Sequence, residues 1–411
     1  MRRRTTCQTR AAMVLAVLVL GVAGCSAAGG AGVPDPVRVP PVKTSSARPC
    51  RLDPGATLPP TPPALPYGEG VRVVHYNTYP YRDGYQGVAA PAGGTVYAVG
   101  QREVPRTSGA CGPYRRVTYA LRWDGGHWRE LPELDAVLDV RWVAGSDEGE
   151  LWVFGSCRES AARAVPDGCM ARWDGTSWTT SPLDGPRAEG VAVFGRDDIW
   201  TASLDAVHHW DGGRWQARPV PFQVHALHGT ASGELWVAGV KGGQIALARW
   251  SGGSWTLMPR PPVPRLYPGL RQETYPITLA AGERGEVWVQ GILGRTCGEE
   301  EAQCGRPVLA RWSGGRWLVE VPPEKLFKEG VIRTIVSDGS GGVFAAVLEG
   351  VARFTGGKWT IHEAARGPLG GRTVTALAHA PGAAGTLWAV GQDDTEAEQT
   401  PFANGMIWRL G

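Results

Sequence analysis

The feature that most limits what this 411-residue chain can become is a repeat that returns seven times after about residue 71. Half of each copy is a short β-prone run ending in aromatic-x-x-Gly or a close variant: Val96-Tyr97-Ala98-Val99-Gly100, Leu151-Trp152-Val153-Phe154-Gly155, Ile199-Trp200-Thr201-Ala202-Ser203, Leu235-Trp236-Val237-Ala238-Gly239, Val287-Trp288-Val289-Gln290-Gly291, Val343-Phe344-Ala345-Ala346-Val347 and Leu387-Trp388-Ala389-Val390-Gly391. The other half is a cation followed by a second aromatic: Arg122-Trp123, Arg172-Trp173, His209-Trp210, Arg249-Trp250, Arg311-Trp312, Arg353-Phe354 and a truncated Ile407-Trp408. In the six complete copies an Asp-Gly, Ser-Gly or Thr-Gly turn leads to another Trp (128, 178, 215, 255, 317 and 359), the signature of a tight hairpin. Self-similarity at this period cannot be satisfied by a single unit, because each copy must bury its apolar face against a neighbour.

Each copy supplies four short strands, and the second aromatics recur every 37 to 62 residues. Four-stranded units at that spacing predict an all-β, seven-bladed β-propeller over residues 68–411. The seventh copy lacks its fourth strand. Residues 71–77, Val-Arg-Val-Val-His-Tyr-Asn, form an unassigned strand before the first copy and are expected to complete that blade, removing two open edges. The repeats resemble the kelch type and the related tryptophan-rich propellers of bacterial envelope proteins, with one Gly where kelch has two and a shorter aromatic-to-Trp spacing. That resemblance implies a fold and leaves function to the loops, since propellers host enzymes, lectins and scaffolds alike.

The N-terminal segment has a different character. Residues 2–10 are basic, residues 11–23 are apolar, and Gly24-Cys25 follows: a three-part secretory signal over 1–24, too short to span a bilayer comfortably. Val22-Ala23-Gly24-Cys25 resembles a bacterial lipobox, which implies lipidation at Cys25 and attachment to the membrane through acyl chains. Ser26 is compatible with sorting to the outer membrane of a Gram-negative cell. Residues 25–67, rich in Gly, Ala and Pro, cannot bury a core and read as a disordered, extended tether. The localisation that follows is the cell envelope, lipid-anchored.

Composition excludes one class of partner. The chain has 42 Lys and Arg against 39 Asp and Glu, and four of the arginines lie in the signal, so the remainder carries 38 against 39. A balance near −1 argues against nucleic acid, which selects a basic face. Setting aside Cys7 and Cys25, six cysteines remain, as expected in an oxidising compartment. Cys157 with Cys169 and Cys297 with Cys304 would each staple one hairpin, leaving Cys50 to pair with Cys111 and pin the tether. No Cys-x-x-Cys is present, and zinc fits poorly.

Seventeen of the 18 tryptophans occupy repeat positions, so blade-to-blade packing is the expected role for them. The repeated cations are expected to pair with acids at the start of strand two: Glu150 with Arg172, Glu234 with Arg249, Glu286 with Arg311 and Asp198 with His209. No P-loop, Gly-x-Ser-x-Gly or His-Glu-x-x-His occurs, and no cofactor or metal site is called for. His225 and His228, three apart on one strand, are expected to point to opposite faces. Residues 173–178 approach a sialidase Asp box and miss it by one residue. The acids Glu299-Glu300-Glu301 and Asp393-Asp394, with Glu396 and Glu398, are expected in solvated loops.

Long segments concentrate on one face: 101–115, 156–168, 292–306 and 392–404 between strands two and three, and 260–275 between blades four and five. Long loops on a rigid scaffold carry function. Arg260, Arg265, Tyr267, Arg271 and Tyr275 are the candidate binding residues, a composition common at recognition surfaces. The reading is a non-catalytic scaffold for an envelope protein. The alternative is a carbohydrate or polysaccharide binder, and a glycoside hydrolase or lyase ranks behind both.

Overall fold

The computed structural model describes residues 71–411 apart from 78–81, 92, 106–113, 159–166, 187, 231–232, 265–272, 283, 298–301, 324–331, 348–349, 368–369, 381–385 and 395–402. The signal, Cys25, the tether, Cys50 and Cys111 lie outside the described residues. Twenty-eight strands form seven sheets of four antiparallel strands each. Blade one is β2 (Asp83–Ala89), β3 (Val96–Pro105), β4 (Tyr114–Trp123) and β5 (Trp128–Glu130), and blade two is β6 (Val137–Gly145), β7 (Leu151–Cys157), β8 (Asp167–Trp173) and β9 (Trp178–Pro186). Blade three is β10 (Gly190–Gly195), β11 (Asp198–Ala202), β12 (Ala206–Trp210) and β13 (Trp215–Pro219), and blade four is β14 (Gln223–Gly229), β15 (Leu235–Val240), β16 (Ile245–Ser251) and β17 (Ser254–Leu257). Blade five is β18 (Glu273–Ala281), β19 (Val287–Cys297), β20 (Ala302–Ser313) and β21 (Arg316–Glu320), and blade six is β22 (Ile335–Ser337), β23 (Val343–Val347), β24 (Gly350–Thr355) and β25 (Lys358–Glu363). Blade seven joins β26 (Thr373–His379), β27 (Leu387–Asp394) and β28 (Ala403–Leu410) to β1 (Arg72–Tyr76), so the expected closure by residues 71–77 is present. The first strands of neighbouring blades touch all the way round, including β26 with β2, which defines a seven-bladed propeller.

Register explains the repeat. In every blade the strand-two aromatic stands directly opposite the strand-three cation: Tyr97 with Arg122, Trp152 with Arg172, Trp200 with His209, Trp236 with Arg249, Trp288 with Arg311, Phe344 with Arg353 and Trp388 with Arg409. Five of these guanidinium groups lie over the facing ring, at 5.1 to 6.0 Å from its centroid, and His209 stacks on Trp200 at 4.0 Å. Such cation–π contacts are worth about 0.5–1 kcal/mol at partly exposed sites. One residue further on in blades one to six, the strand-three aromatic faces the strand-four Trp, as with Trp173 and Trp178 at 5.4 Å; in blade seven Leu410 follows Arg409, so Trp408, expected in the aromatic slot, stands one position before the cation and opposite Val73. Between blades, strand-two rings meet the strand-three rings of the next blade: Trp388 with Trp123, Trp200 with Trp250 and Trp288 with Phe354, at 5.4 to 5.7 Å. Indole N–H groups add bonds at other blade boundaries, one/two and four/five. Trp178 Nε1 donates to the Pro132 carbonyl at 2.8 Å, and Trp317 Nε1 to that of Pro259 at 2.6 Å.

The motif glycine has an equally local cause. In blades one, two, four, five and seven, strand one carries a β-bulge and then resumes pairing with strand two. These are the five blades with Gly at the fourth position: Gly100, Gly155, Gly239, Gly291 and Gly391. The bulge drives a strand-one carbonyl toward that position. A Cβ on Gly239 would overlap the Gln223 oxygen, one on Gly391 the Thr373 oxygen and one on Gly155 the Leu138 oxygen. In blades three and six, Ser203 and Val347 replace Gly, and the strand-one ladder stops at Gly190↔Ala202 and Ile335↔Ala345.

Three expectations are corrected here. Segments 101–105, 114–115, 292–297, 302–306, 392–394 and 403–404 are strand, so much of what reads as loop is antiparallel hairpin arm. Pairing in blade five runs on to Cys297↔Ala302. Tyr275, assigned to a loop, lies within β18 opposite Ile292, because strand one of blade five extends outward with its lengthened partner. Asp393, expected in a solvated loop, is a fully buried residue of β27, whereas Glu299, Glu300, Glu301, Glu396 and Glu398 lie outside the described residues.

The overlap argument predicts that Gly239→Ala lowers stability by about 2–4 kcal/mol, the range for forced backbone displacement in a packed region. Gly195, with open space where a Cβ would project, is the control. Gly195→Ala is expected to stay within about 0.5 kcal/mol, both read from denaturant or thermal unfolding midpoints.

Candidate functional site

Strand direction sorts the molecule into two faces. Strand one begins, strand two ends, strand three begins and strand four ends on the same side, which also carries every strand-two-to-three hairpin and every blade-to-blade connection. The hairpins are tight in blades three, four and six and long in blades one, two, five and seven. Blades seven, one and two are consecutive, so their hairpins form a continuous wall.

In that wall is a cavity of about 440 Å³ built by Arg82, Asp83, Arg102, Glu103, Arg116, Asp139, Arg141 and Gln392, among others. Its charges are largely paired: Arg116 with Asp139 at 2.8 Å, Arg102 with Glu130 at 2.5 Å and Arg141 with Glu189 at 3.4 Å. Beside it Arg115 meets Glu133 at 3.0 Å and Asp135 at 2.7 Å, and Arg158 meets Asp135 at 2.9 Å. Arg82 is exposed. Exposed pairs of this kind contribute little to stability, about 0–1 kcal/mol, and are available for exchange with a partner's charges.

Beneath the cavity lies a buried polar seam between blades seven and one. Asp83, 2 % exposed, accepts hydrogen bonds from Asn77 Nδ2, from the Gly405 amide and from the Tyr119 hydroxyl at 3.3 Å. Burial pushes its carboxyl up to about 7, against the opposing pull of those donors and of Arg102. Asp393 accepts from the Tyr76 hydroxyl at 3.1 Å and the Gly371 amide at 2.7 Å, and Asn404 Nδ2 donates to the Tyr76 oxygen at 2.7 Å. Tyr76 and Asn77 belong to the closing strand and its exit, so the seam latches the ring at its joint. Nothing in the repeat marks Asp83. Its donors come from residues 77, 119 and 405, and only the polar end of the 71–77 strand hinted at it.

The candidate residues between blades four and five are not brought together as a described site. Arg260 is exposed and donates to Gln244 Oε1 at 3.0 Å. Arg265, Tyr267 and Arg271 lie outside the described residues. Of the four acid–cation pairs, Arg172–Glu150 at 3.7 Å, Arg249–Glu234 at 2.5 Å and His209–Asp198 at 2.9 Å are formed. Glu286–Arg311 is not. Arg311 donates to the Gly341 carbonyl at 3.0 Å, and Glu286 accepts from Ser337 Oγ at 3.3 Å, both on blade six. A pair absent from the expectations, Arg353–Asp338 at 2.7 Å, takes its carboxylate from the turn before strand two, because Gly342 stands where blades two to five carry an acid. His225 is itself the bulged residue of β14, so the simple alternation between it and His228 is interrupted.

Cys157 and Cys169 form a disulfide across the blade-two hairpin. Cys169 stands opposite Gly155, two residues from Cys157, and Cys304 stands opposite Arg295, two residues from Cys297. Given this equal backbone offset, peptide mapping without reduction is expected to recover residues 297 and 304 on one linked species. Separate alkylated peptides would refute it.

The seam makes a pH prediction with a definite sign. An aspartate raised from 3.8 to about 7 binds its proton more tightly in the native state, so its contribution is fully present below pH 4 and is lost as pH rises through 7. His75 and His228, lowered to about 4 by desolvation, act oppositely and cost stability as pH falls from 6.5 toward 4. The comparison of wild type with Asp83→Asn isolates the first effect. Wild type is expected to gain on the variant between pH 8 and pH 5 by about 2–3 kcal/mol, and a constant difference across that range would contradict the assignment.

No protein family matches the sequence, and no curated protein matches it. Among solved structures the chain is similar to U3-55K, at a TM-score of 0.51 and 12% identity over 83% of this chain and 98% of that one. It is also similar to YCF48 bound to a D1 peptide, at 0.47 and 14% over 85% and 98%. A gluconolactonase from Xanthomonas campestris matches at 0.40 and 15% over 85% and 98%. The likeness is one of fold.

Proposed function

We propose that the chain is an envelope lipoprotein, anchored through Cys25, whose propeller is a non-catalytic docking scaffold for a protein partner. The observation that supports this most is the one-sided build of the ring: the long hairpins of blades seven, one and two raise a wall on one face, and the polar cavity lies within it. Alternating arginines and carboxylates there suit the charged groups of a protein surface, which gain specificity from complementary pairing more than from area. The described chain enters the ring at Arg72, on the opposite face. A tether over residues 25–67 then links that entry point to the acylated Cys25.

Polysaccharide binding is the second reading. The observation in its favour is the set of planar hydrogen-bonding side chains, Gln101, Gln392, Arg82 and Asp139, in one cavity. Hydrolysis or lyase chemistry ranks behind both.

Two measurements test the proposal. Metabolic labelling with a palmitate analogue is expected to mark the wild-type chain and to fail on Cys25→Ser; equal labelling would remove the anchor. In cells, a photo-crosslinking residue at 82 or 116 is expected to capture one defined protein, identified by mass spectrometry, and the same residue at 318 or 360, on outer strands, is not. Capture of glycan alone at 82 and 116 would favour the second reading, and capture at all four sites would defeat the assignment of the face.

A further inference from the structure

The seven innermost strands enclose a central channel of about 420 Å³, within the range of small-molecule sites, roughly 300–1,000 Å³. This channel adjoins the wall cavity, with which it shares Gln86 and Arg141, but has a different charge pattern. Among the described residues that line it, the charged side chains are two arginines, Arg141 of blade two and Arg333 of blade six, and no Asp or Glu joins them. His228, also in the wall, is lowered to about 4 by desolvation and is neutral near pH 7.

Arg141 occupies the bulge of its inner strand, and Arg333 lies two residues before β22. Arg141 is the last of the three residues that shift the register of β6 against β7. The Arg333 amide donates to the Ala346 carbonyl while the Ala346 amide donates to Thr334, so residues 333 and 334 share one partner. Gln86 and Thr375, likewise in the channel lining, fill the equivalent bulges of blades one and seven. A bulge re-aims the side chain it carries, and here the same device recurs round one mouth of the channel. Arg141 is partly neutralised by Glu189 at 3.4 Å. Arg333 is exposed and has no ion pair among the described residues.

The rest of the wall is hydrogen-bonding backbone. Each inner strand pairs on one side only, with its own strand two, so its other edge presents N–H and C=O groups toward the channel. Thr278, Thr334 and Gln86 add donors and acceptors, and the remaining side chains are small and apolar, such as Gly87, Ala226 and Ala376. A guanidinium selects a carboxylate. A ring of alternating backbone donors and acceptors selects hydroxyls. We infer that the channel binds a small polyhydroxylated carboxylic acid, of the sugar-acid class, with its carboxylate on Arg333 and its hydroxyls on the free edges of the inner strands. The site goes beyond the docking function of the hairpin wall, and its carboxylate anchor, Arg333, is not part of that wall.

The test is calorimetric titration of the full-length chain, in detergent and without any partner, using D-glucuronate, D-glucose and acetate as probes. Glucuronate is expected to bind, with glucose and acetate each at least tenfold weaker, since one lacks the charge and the other the hydroxyls. Arg333→Gln is expected to weaken glucuronate at least tenfold without moving the thermal midpoint, as befits an exposed side chain, and Arg141→Gln to weaken it less. Absence of glucuronate binding to folded wild type would overturn the inference. So would glucose or acetate binding as tightly, or full affinity in Arg333→Gln.

Discussion

The whole ring depends on one cross-strand contact, an aromatic on strand two lying under a cation on strand three. Because the two residues are directly opposite, the cation covers the ring's exposed face while the other face packs on the next blade. Trp288 illustrates the economy: it is fully buried, Arg311 lies 5.4 Å from its centroid, and Phe354 of blade six meets it at 5.7 Å. Intrablade and interblade packing therefore share a side chain, and removing it would open a cavity at both. The carboxylates of the strand-one-to-two turns then hold the cations from the side, as Glu234 does for Arg249 and Asp338 for Arg353.

That sharing is also why so much of the architecture is legible in the chain. A constraint met seven times leaves seven copies of its signature, and the seventh copy's missing strand points to residues 71–77. What is not repeated is not legible. Glu286 and Arg311 sit at the same repeat positions as Glu234 and Arg249, yet Ser337 and the Gly341 carbonyl of blade six take them instead. Asp393 follows the motif glycine of β27 like any hairpin acid, and only the placement of Tyr76 and Gly371 makes it a buried acceptor. The cavity wall and the channel arginines depend on which blades carry bulges and long hairpins together, a property of the closed ring.

The motif glycine connects these levels. By admitting the bulge it lets strand one run on toward the hairpin face, and the same bulge positions carry Gln86, Arg141 and Thr375 to the channel mouth. A packing solution and a chemical site thus arise from one backbone irregularity. The local rule, small residue opposite an extra residue, is structural in all five blades, while the identity of the extra residue is free to vary.

The closing strand has a mechanical consequence. β1 enters at Arg72, opposite Arg409, and runs toward the hairpin face to Tyr76, where the polar seam secures it. A pull on the chain preceding Val71, against a load held at the hairpin face, is directed along the strand. The β1–β28 hydrogen bonds are then stretched in parallel, in shear, rather than opened one by one as in a zipper, and the seam resists at the far end. Lifetime under such a load is governed by the unfolding rate and not by equilibrium stability. A ring joined in this way is built to stay shut when tugged from below.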